Sequence, residues 1–259
     1  MLRALLWDVD GTLAESERDG HRVAFNQAFE AMQLPWRWSA AHYGTLLRVT
    51  GGRERLLADM AGRADAPALA VEREALAREL HRRKNAAYAE LVRAGAVPLR
   101  PGVRELIEEA AAAGLAQAVV TTTSRANVQA LLKRHFGGSP CGPFDLVLCG
   151  EDVAAKKPDP EVYLRALAAL RLRPPEALAI EDSPGGVAAA RAAQVPVVVV
   201  RSEYFAADTV EDAVAIGPGL HTRQGWSPPP HGRCAADGRV TLADLRRWHA
   251  GMEHVSQFG

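Results

Sequence analysis

The sequence predicts an α/β protein with a parallel β-sheet covered by helices and a block of helices inserted after the first strand. In the second half of the chain, short continuous apolar runs alternate with amphipathic segments, which is typical of a parallel sheet buried on both faces. Another apolar run opens the chain at residues 3–8. Between them lies a stretch rich in Ala, Leu, Arg and Glu. We therefore predict a discontinuous core domain, residues 1–16 and 95–259, and a helical cap domain, residues 17–94.

The individual elements of the predicted core follow from this alternation of short apolar runs and helical segments. After the strand at 3–8, strands are predicted at "LAQAVV", "FDLVLC", "ALAI" and "VPVVVV". The intervening segments predict helices over residues 103–113, 125–135, 159–170 and 185–193. The Pro- and Gly-rich "GWSPPPHGRCAADG" predicts irregular structure, and "TLADLRRWHA" predicts a short closing helix.

The predicted cap consists of amphipathic helices. In "LAVEREALARELHRRKNAAYAELV", one face is predicted to carry Leu69, Leu76, Leu80, Ala87 and Leu91. The cap aromatics are expected to pack inside it: Trp36, Trp38 and Tyr43.

Composition and charge exclude several classes of protein. The 259 residues include 31 Lys plus Arg and 31 Asp plus Glu, so the formal net charge is zero and no strong field attracts nucleic acid or anionic lipid. The N-terminal "LRALLWDVD" lacks the charged-then-apolar pattern of a signal segment, so we expect none, and no apolar stretch reaches membrane-spanning length. We expect a cytoplasmic protein with no nucleic-acid or membrane partner and no evident obligate protein partner. Cys141, Cys149 and Cys234 match no disulfide framework or paired metal motif, so we expect reduced thiols.

Polar residues follow the predicted strands where each strand ends. In parallel sheets these ends meet at one edge, where ligands bind. The residues at this edge are an acid pair, a run of hydroxyl residues, a lysine pair and a second acid pair: Asp8 and Asp10, residues 121–124, Lys156 and Lys157, Glu181 and Asp182.

This set of side chains suits phosphoryl chemistry. Asp8 and Asp10 are two residues apart in extended chain and can point the same way, and close carboxylates repel unless a cation lies near them. With Asp182 as a third oxygen donor, the site suits Mg²⁺. Thr121 can hydrogen-bond phosphoryl oxygens and Lys157 can neutralise the remaining charge. A carboxylate is also an established nucleophile towards phosphorus.

Four segments, "WDVDGTL", "VVTTTS", "KKPDP" and "IEDSPGG", resemble the four motifs of the haloacid-dehalogenase-like (HAD) phosphohydrolase superfamily and occur in the same order. The resemblance implies the Rossmann-like HAD core fold with an inserted cap. Within the cap, "GHRVAFNQAFE", "TGGRERL" and "HRRKNAAYAELV" resemble the CbbY-type branch, and the β-phosphoglucomutases as well.

The resemblance implies a role for each motif residue. Asp8 would be the nucleophile that forms an aspartyl-phosphate, and Asp10 the general acid and later the base. The expected Mg²⁺ ligands are Asp8, the Asp10 backbone carbonyl and Asp182, with Glu181 close by. Thr121, the most favoured of four consecutive hydroxyl residues, and Lys157, the lysine before the proline, would bind the phosphoryl group.

Further substrate contacts are expected from the cap and the second motif: Glu17, His21, Arg53, Lys84, Thr122 and Asn127. For the cap residues a structural alternative stays open. Arg53 follows a flexible "TGG" turn that can face solvent, and Lys84 lies beside Arg82 and Arg83 on what is ordinarily a solvated helix face. A histidine on a helix, such as His21, is more often a satisfied structural residue.

The expected function is Mg²⁺-dependent hydrolysis of a small phosphorylated sugar, and the CbbY-type resemblance implies a sugar bisphosphate such as xylulose 1,5-bisphosphate. A β-phosphoglucomutase-like isomerase is the alternative, because it uses the same core residues. A haloacid dehalogenase needs neither Mg²⁺ nor an acid at Asp10, so Asp10 and Asp182 argue against it. A phosphate-sensing module without activity has no need for Asp10.

Overall fold

Six parallel strands form one sheet within the residues that the structure, a computed structural model, describes: 1–230 and 238–255. The strands are β1 (Ala4–Trp7), β2 (Ala116–Val120), β3 (Leu146–Leu148), β4 (Ala177–Glu181), β5 (Val197–Val200) and β6 (Ala215–Gly217). Their order across the sheet is β3-β2-β1-β4-β5-β6, which places β1 at the centre. The predicted α/β class with a parallel sheet is confirmed.

The register of the sheet aligns the strand ends. Ala4 of β1 is opposite both Ala116 of β2 and Ala177 of β4, so Trp7 lies opposite Val119 and Ile180. The residues that follow these three strands therefore emerge side by side at one edge. Trp7 is itself buried, and its indole N–H donates to the Gln117 side chain at 3.1 Å.

Strand β6 was not predicted from the sequence. This strand has only three residues, and the Gly- and Pro-rich stretch that follows it obscures the short apolar run. It pairs with β5 from Val198 opposite Ala215 to Val200 opposite Gly217, and it extends the sheet at that edge. Within the predicted irregular tail, residues 231–237 lie outside the described residues.

The helices of residues 17–94 begin with a π-helical turn, Glu17–His21. It continues into α1 (Arg22–Ala31), followed by α2 (Ala40–Leu46), α3 (Gly52–Ala61) and α4 (Ala70–Arg93). These helices enclose an apolar cluster of their own, and Trp36, Trp38 and Tyr43 are buried in it as predicted.

The buried stripe of α4 differs from the predicted face. It follows a strict four-residue spacing through Leu80, Lys84, Tyr88 and Val92. Leu69 precedes the helix and is 59% exposed, so its assignment to the apolar face was wrong. The other predicted members, Leu76, Ala87 and Leu91, are half-buried because they lie at the margins of this stripe.

The remaining helices cover the two faces of the sheet: α5 (Val103–Ala112), α6 (Arg125–Phe136), α7 (Glu161–Leu170), α8 (Pro184–Ala192) and α9 (Leu242–Val255). Helices α5, α6 and α9 contribute to the apolar cluster on one face, and α7 and α8 to that on the other. Helix α9 extends beyond the predicted 241–250, and its Trp248 stacks on Trp226 at 4.7 Å between ring centres.

Two linkers join residues 17–94 to the sheet, and they are paired with each other. Ala14 forms an antiparallel bridge with Leu99, and the backbone N–H of Arg100 donates to the Leu13 carbonyl at 2.8 Å. The chain therefore enters and leaves residues 17–94 at the same place, next to the segment that follows β1.

Membrane-spanning helices are absent from the described part of the chain, since none there combines the necessary length and apolar character. Cys141 and Cys149 are free thiols, as predicted, and Cys234 lies outside the described residues.

Candidate active site

A cavity of about 500 Å³ lies at the carboxyl ends of the strands, between the sheet and the inserted helices. The predicted motif residues Asp8, Asp10, Thr121, Lys157 and Asp182 all line it. All the other predicted substrate contacts line it too: Glu17, His21, Arg53, Lys84, Thr122 and Asn127. The structure thus brings together residues that are far apart in the sequence, from Asp8 to Asp182.

Lys157 is the central cation of the sheet side of the site. Its Nζ lies 2.7 Å from Asp8 Oδ1, 2.6 Å from Glu181 Oε1 and 2.8 Å from the Val120 carbonyl, so all three donors of the ammonium are used. Burial lowers the pKa of Lys157, but the charges of Asp8 and Glu181 outweigh burial and hold this pKa above its ordinary value. Lys157 is therefore a permanent positive charge beside the Asp8 carboxylate.

Three buried carboxylates meet next to this lysine. Asp8, Glu181 and Asp182 each offer an oxygen within 4.8 Å of the others. Burial raises the pKa of Asp8 and of Asp182 well above the ordinary value. The charge of Lys157 lowers the pKa of Asp8 without offsetting burial, and the neighbouring acids raise the pKa of both residues further. One lysine does not offset three acids, so the cluster favours binding of a further cation.

The chemistry of this cluster fits a divalent cation. Its donors are hard carboxylate oxygens, which Mg²⁺ prefers. Glu181 Oε2 is buried and has no hydrogen-bond partner within the described part of the chain, which leaves a lone pair for a ligand in the cluster. Two glycines permit the close approach of the acids: a Cβ on Gly11 would lie 2.0 Å from Asp182 Oδ2, and one on Gly186 would lie 1.9 Å from Glu181 Oε2.

Asp10 faces a different set of partners from Asp8. Its carboxylate accepts hydrogen bonds from the hydroxyls of Ser16 and Thr123, and His21 Nε2 lies 2.9 Å from Oδ1. Burial raises the pKa of Asp10, but the charge of His21 and these hydrogen bonds outweigh it and lower the pKa below the ordinary value. The Asp10 side chain is thus held apart from the acid cluster.

The hydroxyl residues that follow β2 have different hydrogen-bond partners. Thr121 is buried and its Oγ1 accepts the backbone N–H of Thr123 at 3.1 Å, whereas Thr123 reaches Asp10. Thr122 is half-buried in the cavity wall. Thr123 and Ser16 were not predicted as site residues, because the sequence carries no signal for which hydroxyl residue faces a carboxylate on another strand.

Lys84 is the cation of the helical side of the cavity. It is 3% exposed, and its Nζ lies 5.2 Å from the ring centres of both Phe25 and Tyr88. Among the described residues it has no hydrogen-bond partner, and burial lowers its pKa to about 8. The alternative that Lys84 is solvated was wrong, because Lys84 lies in the buried stripe of α4.

Arg53 differs from Lys84 in its exposure. Its side chain is 44% exposed and forms a loose ion pair with Glu74 at 3.5 Å, although it reaches the cavity wall. Asn127 is buried, and its side-chain N–H donates to Asn85 at 3.0 Å, which links α6 to α4.

A second buried cation on the helical side was not predicted. Arg55 Nη1 donates to the Tyr43 hydroxyl at 2.7 Å, and this hydroxyl donates to Glu17 Oε2 at 2.5 Å. Across the sheet–helix boundary, Lys156 Nζ lies 2.7 Å from Glu54 Oε1. No local spacing could reveal these partners, since they are far apart in sequence and meet only when the helices are packed.

A family model described as haloacid dehalogenase-like hydrolase matches residues 2–194. The chain belongs to the haloacid dehalogenase-like hydrolase family. This confirms the resemblance stated from the four motifs, and it confirms that the protein is an enzyme of the phosphatase class.

Two relatives and one solved structure place the chain within the haloacid dehalogenase-like hydrolases. It is 44% identical over 253 residues to the plasmid-encoded protein CbbY of Cupriavidus necator, covering 96% of this chain and 98% of the relative. It is 47% identical over 207 residues to protein CbbY of Rhodobacter capsulatus, covering 80% and 88%. The fold matches a crystal structure of a CbbY mutant from Rhodobacter sphaeroides in complex with xylulose-(1,5)bisphosphate, with TM-score 0.77, 39% identity and coverage of 82% and 92%.

Proposed function

We propose that this protein is a Mg²⁺-dependent phosphatase that hydrolyses a small sugar bisphosphate, of the xylulose 1,5-bisphosphate class, through an aspartyl-phosphate. The observation that carries the proposal is the pairing of Asp8 with Lys157 beside Glu181 and Asp182. It supports the proposal because the carboxylate of Asp8, the nucleophile we propose, lies next to a fixed cation and a candidate metal site. A complex of a CbbY mutant with xylulose bisphosphate supports the choice of substrate class.

The metal would be held by Asp8 and Asp182, with Glu181 beside them and the Asp10 backbone carbonyl as a further oxygen donor. Bound there, Mg²⁺ would neutralise negative charge on the transferring phosphoryl group. Lys157 would add a second positive charge on the same group, and the hydroxyl of Thr121 a hydrogen bond. Together these groups offset the charge that otherwise keeps a phosphate away from a carboxylate.

In the first step, a carboxylate oxygen of Asp8 attacks phosphorus and the bond from phosphorus to the sugar oxygen breaks. The leaving oxygen takes a proton from Asp10. The donors around Asp10 hold it as a carboxylate in the free protein. When the phosphoryl group enters, its negative charge favours uptake of a proton by Asp10 from solvent, and the protonated acid is then next to the leaving oxygen.

In the second step, Asp10 accepts a proton from water. The oxygen of that water attacks the phosphorus of the aspartyl-phosphate, the bond to Asp8 breaks, and inorganic phosphate leaves. The Asp8 carboxylate is regenerated. The contacts of Asp10 with Ser16, His21 and Thr123 keep it ionised, which suits it to act as the base in this step.

The distal end of the substrate would bind on the helical side of the cavity. Lys84 is a buried ammonium without a hydrogen-bond partner among the described residues, so it is ready to accept an anionic group. The cavity of about 500 Å³ matches the size of a small ligand. A bisphosphate would satisfy both cationic ends, one at Lys157 and the other at Lys84, with Arg53 at the rim.

We further propose that residues 17–94 act as a cap that closes over the substrate and excludes bulk water. Contacts across the cavity support this. Lys156 pairs with Glu54, and Asn127 with Asn85, each joining a residue outside the segment 17–94 to one inside it. An ion pair between Arg18 and Glu203, 2.6 Å apart, joins the same two parts on another side.

The direct test is phosphate release from xylulose 1,5-bisphosphate by the purified protein, with Mg²⁺ and with EDTA. We expect release that requires Mg²⁺ and is abolished in Asp8→Asn, because an amide cannot attack phosphorus at a useful rate. Asp19→Asn, at an exposed carboxylate outside the cavity, is the matched control and should retain full activity. Activity of Asp8→Asn within about tenfold of wild type, which is only about 1.4 kcal/mol of barrier, would exclude Asp8 as the nucleophile.

The same assay separates hydrolysis from isomerisation. A β-phosphoglucomutase-like enzyme would convert a hexose 1-phosphate into its 6-phosphate without stoichiometric phosphate release, and it would require a bisphosphate activator. Formation of the isomer without free phosphate would show that the protein is a mutase and would contradict the proposed phosphatase activity.

A further inference from the structure

Arg100 is a nearly buried arginine on the second linker, outside every motif of the active site. Its side chain is 12% exposed. Its guanidinium donates to four backbone carbonyls, those of Gly11, Val200 at 3.3 Å, Arg201 at 2.7 Å and Pro218 at 3.1 Å. The remaining donor, Nε, lies 3.5 Å from the Glu15 carboxylate, so all five donors of the arginine have a partner.

These carbonyls belong to three different loops at the carboxyl edge of the sheet. Gly11 closes the turn that carries Asp8 and Asp10 after β1, whereas Val200 and Arg201 lie where β5 ends and Pro218 follows β6. The carbonyls of Gly11, Arg201 and Pro218 lie beyond the strand ends and have no partner in the sheet, so without the guanidinium they would need water or remain unsatisfied. Arg100 thus ties three loops to one rigid group.

The tied loops contact the acid cluster directly. Gly11 has φ +86°, and a Cβ there would lie 2.0 Å from Asp182 Oδ2, so the turn after β1 touches the Asp182 carboxylate. The same turn also meets Ser202, next to Arg201, since a Cβ on Gly11 would lie 3.0 Å from the Ser202 Cβ. A shift of the Gly11 carbonyl or of the loop after β5 therefore moves Asp182 relative to Asp8.

We infer that Arg100 is a positioning residue that fixes the turn Asp8–Gly11 against the loop after β5 and thereby sets the separation of Asp8 and Asp182. The inference rests on the proposed function for its kinetic consequence. Since the backbone N–H of Arg100 also bonds Leu13 in the paired linkers, the base of the inserted helices is fixed to the same group. The separation of Asp8 and Asp182 then stays the same when the cap, residues 17–94, moves.

The test compares Arg100→Gln and Arg100→Lys with Arg104→Gln. Arg104, one turn further along, also donates to a backbone carbonyl, that of His135 at 2.6 Å, and lies over the Phe136 ring, but outside the cavity. Arg104→Gln therefore controls for the general effect of losing a hydrogen bond from an arginine to a backbone carbonyl. Each variant is measured for kcat and KM with an aryl phosphate, for Mg²⁺ affinity by calorimetry, and for Tm.

For Arg100→Gln we expect kcat to fall about tenfold to a hundredfold with unchanged KM, because a small misplacement of reacting groups has this effect. Its Mg²⁺ affinity should fall about tenfold, as for other partners that orient metal ligands. Arg100→Lys should recover part of both losses, since it keeps the charge but cannot reach four carbonyls. Arg104→Gln should lower Tm alone.

Equal changes of kcat and Mg²⁺ affinity in Arg100→Gln and Arg104→Gln, or a loss of Tm alone in Arg100→Gln, would overturn the inference. If Arg100→Gln does not fold, Arg100→Lys decides by the same comparison. Absence of phosphate release from the wild type would instead remove the proposed function, and the Mg²⁺ titration would still decide the role of Arg100.

Discussion

The Nζ of Lys157 lies 2.7 Å from Asp8 Oδ1, and both side chains are buried. The same ammonium bonds Glu181 at 2.6 Å, so one lysine holds two buried carboxylates. Such a pair is stable only while both signs of charge are present, because removal of one partner leaves an uncompensated buried charge.

Replacement of Lys157 by Met should therefore destabilise the fold. We expect a loss of about 3–5 kcal/mol in the free energy of unfolding when EDTA is present, the range for breaking a buried ion pair. Added Mg²⁺ should restore part of the loss, because a cation in the cluster again offsets the carboxylates. Urea unfolding with EDTA and with Mg²⁺ measures both effects. Lys156→Met, at the half-exposed neighbour, is the control, and a loss for Lys157→Met that Mg²⁺ leaves unchanged would contradict the prediction.

Asp10 and Asp182 should differ in their effects on metal and on chemistry. Asp10→Asn should lower kcat about 10²–10⁴-fold, the usual range for a general acid–base group, and leave Mg²⁺ affinity nearly intact. Asp182→Asn should weaken Mg²⁺ binding, because its side chain belongs to the acid cluster and that of Asp10 does not. Calorimetric titration with Mg²⁺ and turnover at saturating Mg²⁺ separate the two. Equal losses of metal affinity would show that the Asp10 side chain is also a ligand.

Lys84→Ala should impair a bisphosphate substrate selectively. If a distal phosphate binds this ammonium, its removal should cost about 1.5–3 kcal/mol in kcat/KM, the range for hydrogen bonds to charged groups. The loss should be small with an aryl phosphate, which has no distal phosphate. Arg53→Ala is the matched variant, and we expect a smaller effect because Arg53 is largely exposed and already paired with Glu74. Equal losses of Lys84→Ala on both substrates would assign Lys84 to cap folding or closure instead.

The burial of Lys84 should also appear in the pH dependence of stability. Its pKa is lowered from 10.5 to about 8 in the folded protein. Between these values the unfolded chain binds more protons, so this residue makes the stability of the wild type rise with pH in that window. At pH 7 the buried charge opposes folding by about 3 kcal/mol.

Lys84→Met removes this contribution. The variant should be more stable than the wild type at neutral pH, and the difference should shrink as pH rises from about 8 towards the ordinary lysine pKa. Unfolding free energies measured across this range test it, with Lys133→Met at an exposed helix position as the control. A difference that is constant with pH would show that Lys84 is not charged and desolvated in the fold.

The sequence by itself determined the sheet and the meeting of the motif residues. Apolar runs of four to six residues separated by amphipathic helices have few alternatives to a parallel sheet. Polar residues placed after such strands must converge, because parallel strands end at one edge. Asp8, Lys157 and Asp182 could therefore be predicted together from their positions after three separate strands. The three-residue β6 could not, because a run that short does not stand out beside glycine and proline.

Tertiary structure alone decided which side chain takes which partner. The sequence could not choose among four consecutive hydroxyl residues, and packing brought Thr123 to Asp10 while Thr121 accepts the Thr123 N–H. It could not show that Lys84 is buried while Arg53, at the start of α3, is largely exposed. The four carbonyls of Arg100 lie between 89 and 118 residues away, and no local pattern encodes them. Periodicity specifies which face of an element is buried, whereas hydrogen bonds between distant loops depend on distances of tenths of an ångström that arise only when the whole chain is packed.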